Sequence, residues 1–260
     1  MTDNSVLVKF QGVSKEYVTQ EGNVKVLKDV NFEIRKNTFT ILFGPSGSGK
    51  TTILNMILGL LVPTSGVVQV NGQGLYQMNQ NDRAKFRARN FGTVYQTNNW
   101  VSSLDVIENI ALPLYLSGMS RPDAHKEAMD SLKRVDLEKY AKYRPQVLSV
   151  GQQQRISMAR ATVGVPLLLV ADEPTGNLDS KNGDMIMSLI TSFKNEHNST
   201  IVLVTHNSEY LPLSDHRLFI SDGVVTEDEG GYRGDVSDKF NSVAAMMKLG
   251  NAAREVNRGK

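Results

Sequence analysis

The nine residues GPSGSGKTT, Gly44 to Thr52, constrain this chain more than any other stretch. They match G-x-x-x-x-G-K-[ST] between TFTILF, a strand-like run, and ILNMILGL, a helix-like one, which is the context that gives the pattern its meaning. Glycines at 44, 47 and 49 allow the backbone to turn so that successive amide hydrogens converge on phosphate oxygens. The helix N-terminus behind the loop adds a favourable dipole. Gly44, Pro45, Ser46, Gly47, Ser48, Gly49, Lys50, Thr51 and Thr52 are therefore candidate phosphate-site residues. Lys50 is placed to neutralise β and γ phosphates and Thr51 to ligate magnesium. A glycine turn of purely structural use explains neither the lysine nor the threonine.

A loop of this kind needs a parallel sheet behind it, and the second half of the chain supplies the pattern. LLLVADE and STIVLVTHN are apolar runs of strand length, separated by the helical pattern NGDMIMSLITSFKNEH. Strand, helix, strand implies parallel neighbours with ligands at their C-terminal ends. Asp172 and Glu173 end the first run and His206 the second. Strand alternation predicts that the two carboxylates point differently, Asp172 reaching magnesium and Glu173 orienting the attacking water. Two acids ending a strand are more often solvated loop residues, and a lone histidine there is more often structural; the phosphate loop upstream reverses both readings.

VLVKFQGVS, VKVLKDVNFEI and TSGVVQVNG read as short N-terminal strands. Between about 97 and 165 the pattern turns helical, in SLDVIENIALPLYLSG, RPDAHKEAMDSLKRVDLEKY and QQQRISMARATVG. GVVTEDEGG begins as a strand after a turn at Ser221-Asp222-Gly223. The residues from about Asp235 form an appendage: Phe240, Val243, Met246 and Met247 fall at helical spacing after a possible cap at Ser237, giving a stripe that packs on its own domain or docks to a partner or membrane surface. The 260 residues are 40% hydrophobic, enough for a substantial core. The balance of 29 basic against 27 acidic residues gives a formal charge of +2, so nothing points to a polyanionic partner. The absence of cysteine excludes disulfides and thiolate chemistry and suggests a reducing cytoplasm. No signal-peptide pattern opens the chain, and no apolar run reaches the roughly 18 residues of a membrane span.

In their order, these residues resemble the ATP-binding cassette family, specifically the nucleotide-binding subunits of ABC transporters, from about Val6 to Glu227. The resemblance implies an α/β fold: a P-loop NTPase cassette with a mainly parallel RecA-like sheet, an N-terminal antiparallel β-subdomain and a helical signature subdomain. The ATPase domain would span 1–230, with the helical part at about 97–165 inserted and 231–260 as an extension. Tyr17 in KEYV looks like the aromatic that stacks on adenine, and Gln96 in TVYQ like the Q-loop glutamine that senses magnesium and water. LSVGQ, Leu148 to Gln152, resembles the signature and Asn177-Leu178-Asp179 the D-loop, while His206 looks like the switch histidine. The implied catalytic set is Glu173, His206 and Gln96, and the implied magnesium ligands are Thr51, Gln96 and Asp172. ATP contacts would come from Tyr17, the phosphate loop, Ser149, Gly151, Gln152 and Asp179.

In the family two cassettes pack head to tail, so the phosphate loop of one faces the signature of the other and ATP closes the dimer. ADEPTGNLD and SLDVIENIALPLYLSGMS resemble the branch containing LolD, MacB and FtsE, which implies a membrane permease partner and a place at the cytoplasmic face of the membrane, with no nucleic acid. A soluble cassette acting on nucleic acid or the ribosome is disfavoured by the near-neutral charge and the lack of a cysteine zinc module. A regulatory module that binds nucleotide without hydrolysis is disfavoured by Glu173 and His206. Trp100 either fills a core gap or lines the groove that receives a permease helix. Val150 stands where the family signature has glycine, but Ser149 and Gly151 remain, so the expectation is a working site.

Overall fold

The structure is a computed structural model that describes residues 6–20 and 22–228. Its core is a six-stranded sheet in the order β10-β9-β3-β8-β7-β6, built from β3 (Phe39–Phe43), β6 (Phe91–Tyr95), β7 (Leu168–Asp172), β8 (Thr200–Val204), β9 (His216–Ser221) and β10 (Val224–Asp228). Every pairing from β9 to β6 is parallel, and β10 closes the edge antiparallel through the turn at Asp222 and Gly223, both at positive φ. The type-I′ hand of such a turn fits the twist of a tight hairpin.

Alternation along β7 and β8 divides the core between two faces. Leu168, Val170, Val202 and Val204 pack against Ile53, Leu54, Met56 and Ile57 of α1 (Lys50–Ile57). Leu169, Ala171, Ile201 and Leu203 face Ile186, Met187, Ile190 and Phe193 of α6 (Ser180–His197). Burial on both faces explains why these strands read as unbroken apolar runs. At about 1.5–3 kcal/mol for each large apolar side chain buried, this sandwich fixes the strand ends against solvent fluctuation.

A second sheet, four-stranded and antiparallel in the order β2-β1-β4-β5, covers the α1 side; it comprises β1 (Val6–Thr19), β2 (Gly22–Arg35), β4 (Ser65–Val70) and β5 (Gln73–Gly74). Its first two strands are 14 residues each, longer than the short runs the sequence suggests. Register shifts between Phe10 and Val13 and around Lys15 break the alternation without ending the ladder. Phe10 and Phe32 stack across it with ring centroids 4.4 Å apart.

Between β6 and β7 lie α3 (Val106–Leu116), α4 (Arg121–Arg134) and α5 (Val150–Thr162), joined by their own apolar cluster, Ile110, Leu114, Ala128, Leu132, Ile156 and Ala159 among it. Asp105 and Glu108 form a reciprocal capping box at the start of α3. The buried Asn109 side chain ties the preceding loop down, donating to the carbonyls of Val101, Leu104 and Asp105 and accepting from the Val101 amide. Helix α4 stops earlier than its sequence pattern suggests, because Asp136 turns to φ 57 and only a short 3-10 turn, Glu138–Tyr140, follows. Helix α2 (Gln80–Asn90) has no buried residue and hence no apolar stripe to announce it. No helix among the described residues is long and apolar enough to cross a membrane. The expected stripe of Phe240, Val243, Met246 and Met247 lies outside the described residues.

Candidate functional site

The phosphate loop joins β3 to α1, where the sheet's parallel strands end. Gly44, Gly47 and Gly49 have φ of 151, 78 and 110, and a Cβ on Gly44 would stand 2.0 Å from the Ile220 carbonyl oxygen. Only glycine permits that turn so close to β9. Lys50 opens α1 and is buried; its Nζ donates to the Gly44 and Pro45 carbonyls, 2.8 Å each. Those bonds hold the ammonium inside the loop. Ser48 Oγ is buried with no hydrogen-bond partner, an arrangement costly unless a ligand oxygen completes it. Pro45, Ser46 and Gly47 form the exposed rim, Thr51 is exposed and Thr52 half-buried on the first turn of α1.

Asp172 ends β7, opposite Tyr95 of β6 on one side and Val204 of β8 on the other. Burial, then the charge of Glu173, pushes its carboxyl above the usual carboxylate range, and the Lys50 ammonium pulls it back down. Glu173 leaves the strand at φ 47 with its amide on the Val204 carbonyl, 2.9 Å, so a left-handed turn, rather than the alternation expected from the sequence, aims its side chain. Its Oε1 meets His206 Nδ1 at 2.9 Å, with the carboxylate mostly covered and the imidazole mostly exposed. Gln96 follows β6 and reaches the same end of the sheet: its Nε2 donates to Asn177 Oδ1 at 3.4 Å, and Asn177 Nδ2 donates to the Gln96 carbonyl at 3.3 Å. Lys50, Asp172, Glu173 and His206 thus form one continuous set.

The ABC transporter family model matches residues 27–176, more than half of the chain. This chain belongs to the ABC transporter family. It is 38% identical over 206 residues to the ABC transporter ATP-binding protein YtrE of Bacillus subtilis, covering 79% of this chain and 89% of that protein. It is 36% identical over 204 residues to the lipoprotein-releasing system ATP-binding protein LolD of Buchnera aphidicola, covering 78% and 90%. A solved dimeric structure of the cassette MJ0796 of Methanocaldococcus jannaschii, in a post-hydrolysis state bound to ADP and Pi, matches with TM-score 0.81 at 36% identity, covering 88% of this chain and all of that one. The two sheets and the helical insertion are those of an ABC cassette, and the chain is an ATP-binding cassette ATPase.

On this cassette Tyr17 lies near the tip of the β1–β2 hairpin, opposite Val24 and 40% exposed. Lys15, two residues earlier on the same face, places Nζ 5.0 Å from its ring centroid and donates to the Val62 carbonyl at 2.9 Å. Lysine behind the ring was not foreseen; the i, i+2 spacing on a strand was the available signal.

The cassette's Leu148 to Gln152 stretch lies at the start of α5 and has different neighbours. Ser149 is the N-cap: its hydroxyl accepts from the Gln152 amide at 3.3 Å, and Gln152 Oε1 accepts from the Ser149 amide at 3.0 Å. Gln152 Nε2 also donates to Tyr140 OH at 3.1 Å, so its side chain is engaged within the helical part. Val150 is exposed, opens the helix and is not among the residues of positive φ. Gly151 faces Asn182, and Asp179 caps α6, all remote from the phosphate loop in sequence.

Trp100 packs half-buried against the helical cluster, donates Nε1 to Gln153 Oε1 at 2.8 Å and carries the Arg160 guanidinium 4.5 Å from its ring centroid. Burial lowers Arg160 to about 10. That arginine also lines a groove of about 950 Å³ between α2, β6 and the end of α3, with Arg87, Arg89, Leu116, Met119 and Val165. Trp100 therefore packs on the helical cluster, as the first reading of its sequence position expects, and touches the groove only through Arg160, since it is not among the residues lining it.

Proposed function

We propose that this chain is the ATP-hydrolysing subunit of a membrane ABC transporter complex, acting as a head-to-tail pair of cassettes. The continuity of Lys50, Asp172, Glu173 and His206 carries the reading. Tyr17 stacks on adenine, and the loop from Gly44 to Thr52 cradles the phosphates, Ser48 finding its missing partner there. Glu173 orients and deprotonates water, His206 positions Glu173 and the terminal phosphate, and Gln96 follows the state of the site. Ser149, Gly151, Gln152 and Asp179 complete the site of the second cassette, Gln152 doing so through its cap on Ser149.

No cluster of three or more metal-ligating His, Cys, Asp or Glu side chains occurs among the described residues. Magnesium needs none: the Thr51 hydroxyl, the Gln96 amide oxygen and the Asp172 carboxylate are hard donors that fit an ion completed by phosphate oxygens and water. Bound there, it supplies charge neutralisation on the β and γ phosphates.

We divide the chain into an ATPase domain, 1–230, carrying the helical insertion 97–165, and an extension, 231–260. The groove takes a cytoplasmic helix of the permease: its apolar walls bury one face of such a helix while Arg87 and Arg89 meet its charged flank. Closure on ATP draws the permease subunits together, and hydrolysis releases them. Likeness to LolD proteins supports a permease of the lipoprotein-release, macrolide-export or mechanotransmission type, with the cassette held at the cytoplasmic face through it and no nucleic acid involved. The test co-expresses the chain with a candidate permease subunit of the LolD-partner type. Co-purification with ATPase stimulation is expected, and Leu116→Glu/Val165→Glu should lose both while keeping basal ATPase. Unchanged co-purification of that variant refutes the docking site.

A further inference from the structure

Asn182 lies in the first turn of α6, and its side-chain amide is fixed twice over. Its Nδ2 donates to both carboxylate oxygens of Asp179, at 3.0 and 2.9 Å, while its backbone amide donates to Asp179 Oδ1 at 2.8 Å. These donors, the backbone one first, hold the Asp179 carboxyl below the usual carboxylate range. With Nδ2 committed, Oδ1 faces the first turn of α5. A Cβ built on Gly151 would stand 2.6 Å from Asn182 Oδ1 and 2.8 Å from its Cγ. That oxygen cannot rotate away without surrendering the bonds to Asp179. Gly151 does not have positive φ, so the close approach, and not backbone conformation, accounts for the glycine within its own chain.

We propose that Asn182 is a positioning residue, a spacer that sets the distance between the first turn of α5 and Asp179, and so presents Ser149 and the Gly151 amide correctly to the ATP of the other cassette. The inference rests on the reading of Ser149 and Gly151 as groups that face the partner's nucleotide. Asn182 touches no nucleotide and acts through Gly151 and Asp179. Both elements that a cassette offers across the dimer are thereby held in one register by one side chain. Its loss leaves the phosphate loop of the same chain intact, so ATP binding to a monomer and ATP-driven pairing should separate.

The experiment uses the full chain carrying Glu173→Gln, and measures the ATP concentration giving half-maximal dimer by light scattering, alongside fluorescent-ATP binding to the monomer. Asn182→Ala, which keeps the backbone cap, should raise the ATP needed for pairing about fivefold or more, with monomer binding unchanged within about twofold. Gly151→Ala should block pairing, and Gly151→Ala/Asn182→Gly should recover to the level of Asn182→Ala. A double variant as defective as Gly151→Ala alone, or an Asn182→Ala chain that pairs at the original ATP concentration, overturns the spacer. Ser149→Ala is the separate control: pairing unaffected by that change would instead defeat the assignment of this turn to the partner's ATP.

Discussion

The end of the parallel sheet and the start of α5 make opposite use of polar side chains. At the sheet end, groups from three segments converge within one chain: Lys50 sits inside its loop, Asp172 is perturbed by burial, Glu173 and Lys50, and Glu173 holds His206. Ser48 Oγ remains buried without a partner. At the start of α5, Ser149 and Gln152 satisfy one another and Gln152 reaches Tyr140. The first region gathers groups suited to a ligand within one chain, whereas the second is satisfied as structure and, on the proposed reading, serves the other cassette. That division of labour is what a composite site between two copies requires.

The largest expected effect removes the base from the first region and leaves the second untouched. Glu173→Gln should lower phosphate release by about 10²–10⁴-fold, the range a positioned general base contributes. ATP should still bind, and a dimer should accumulate in size-exclusion chromatography. Hydrolysis at the parental rate would show that Glu173 is not the base.

A mixing experiment sharpens the comparison directly. On the proposed arrangement, Lys50→Ala should disable the nucleotide site of its own chain, while Ser149→Ala should disable only what that chain offers its partner. Each variant alone should be inactive as a homodimer. In an equal mixture half the dimers pair the two variants, and in each of those one site combines an intact Lys50 with an intact Ser149. Activity should return to roughly a quarter of the parental rate. If both groups served the same chain's site, mixing would restore nothing.

A smaller effect concerns stability. Asp172 has a carboxyl raised in the folded chain, so the folded state binds more protons there than the unfolded state. Its contribution is therefore most favourable at acid pH and declines as pH rises through the raised value, leaving a cost at neutral pH. Asp172→Asn should remove that cost, raising the thermal midpoint at neutral pH while reducing hydrolysis. The gain should vanish at pH values below the ordinary carboxylate range. A stability loss at neutral pH would mean that Lys50 depends on the Asp172 charge more than burial penalises it.

What the sequence revealed of these regions follows from whether the signal was local. The phosphate loop is readable from its motif, β7 and β8 from unbroken apolar runs buried on both faces, and α6 from the period its buried face imposes. Helix α2 has no fully buried residue and packs on the core through Phe86 alone of its large apolar side chains, so no stripe announces it, and bulges that break alternation obscure the full length of β1 and β2. Asp172, Glu173, His206 and Gln96 could be nominated, but the left-handed turn at Glu173 and the Gln96–Asn177 pairing depend on strand order. The contact between Gly151 and Asn182 joins segments about thirty residues apart, and no pattern within either segment contains it.

Val150 tests the smallest part of the comparison, because it stands between Ser149 and Gly151 in the turn that faces outward. It is 54% exposed and opens α5 with no positive φ, so a valine there carries no backbone strain. Its isopropyl group loses rotamer freedom at a helix start, a cost of a few tenths of a kcal/mol, and glycine would exchange that for backbone freedom of similar size. Folding stability therefore hardly discriminates the two residues. In the proposed pair, what remains is the bulk presented to the other cassette, which is expected to hinder closure or leave it alone. Val150→Gly should keep hydrolysis within about twofold of the parental rate or raise it, read as phosphate release at saturating ATP. A fall of tenfold would mean that the valine makes a contact across the dimer, moving this turn from tolerated variation to a built interface.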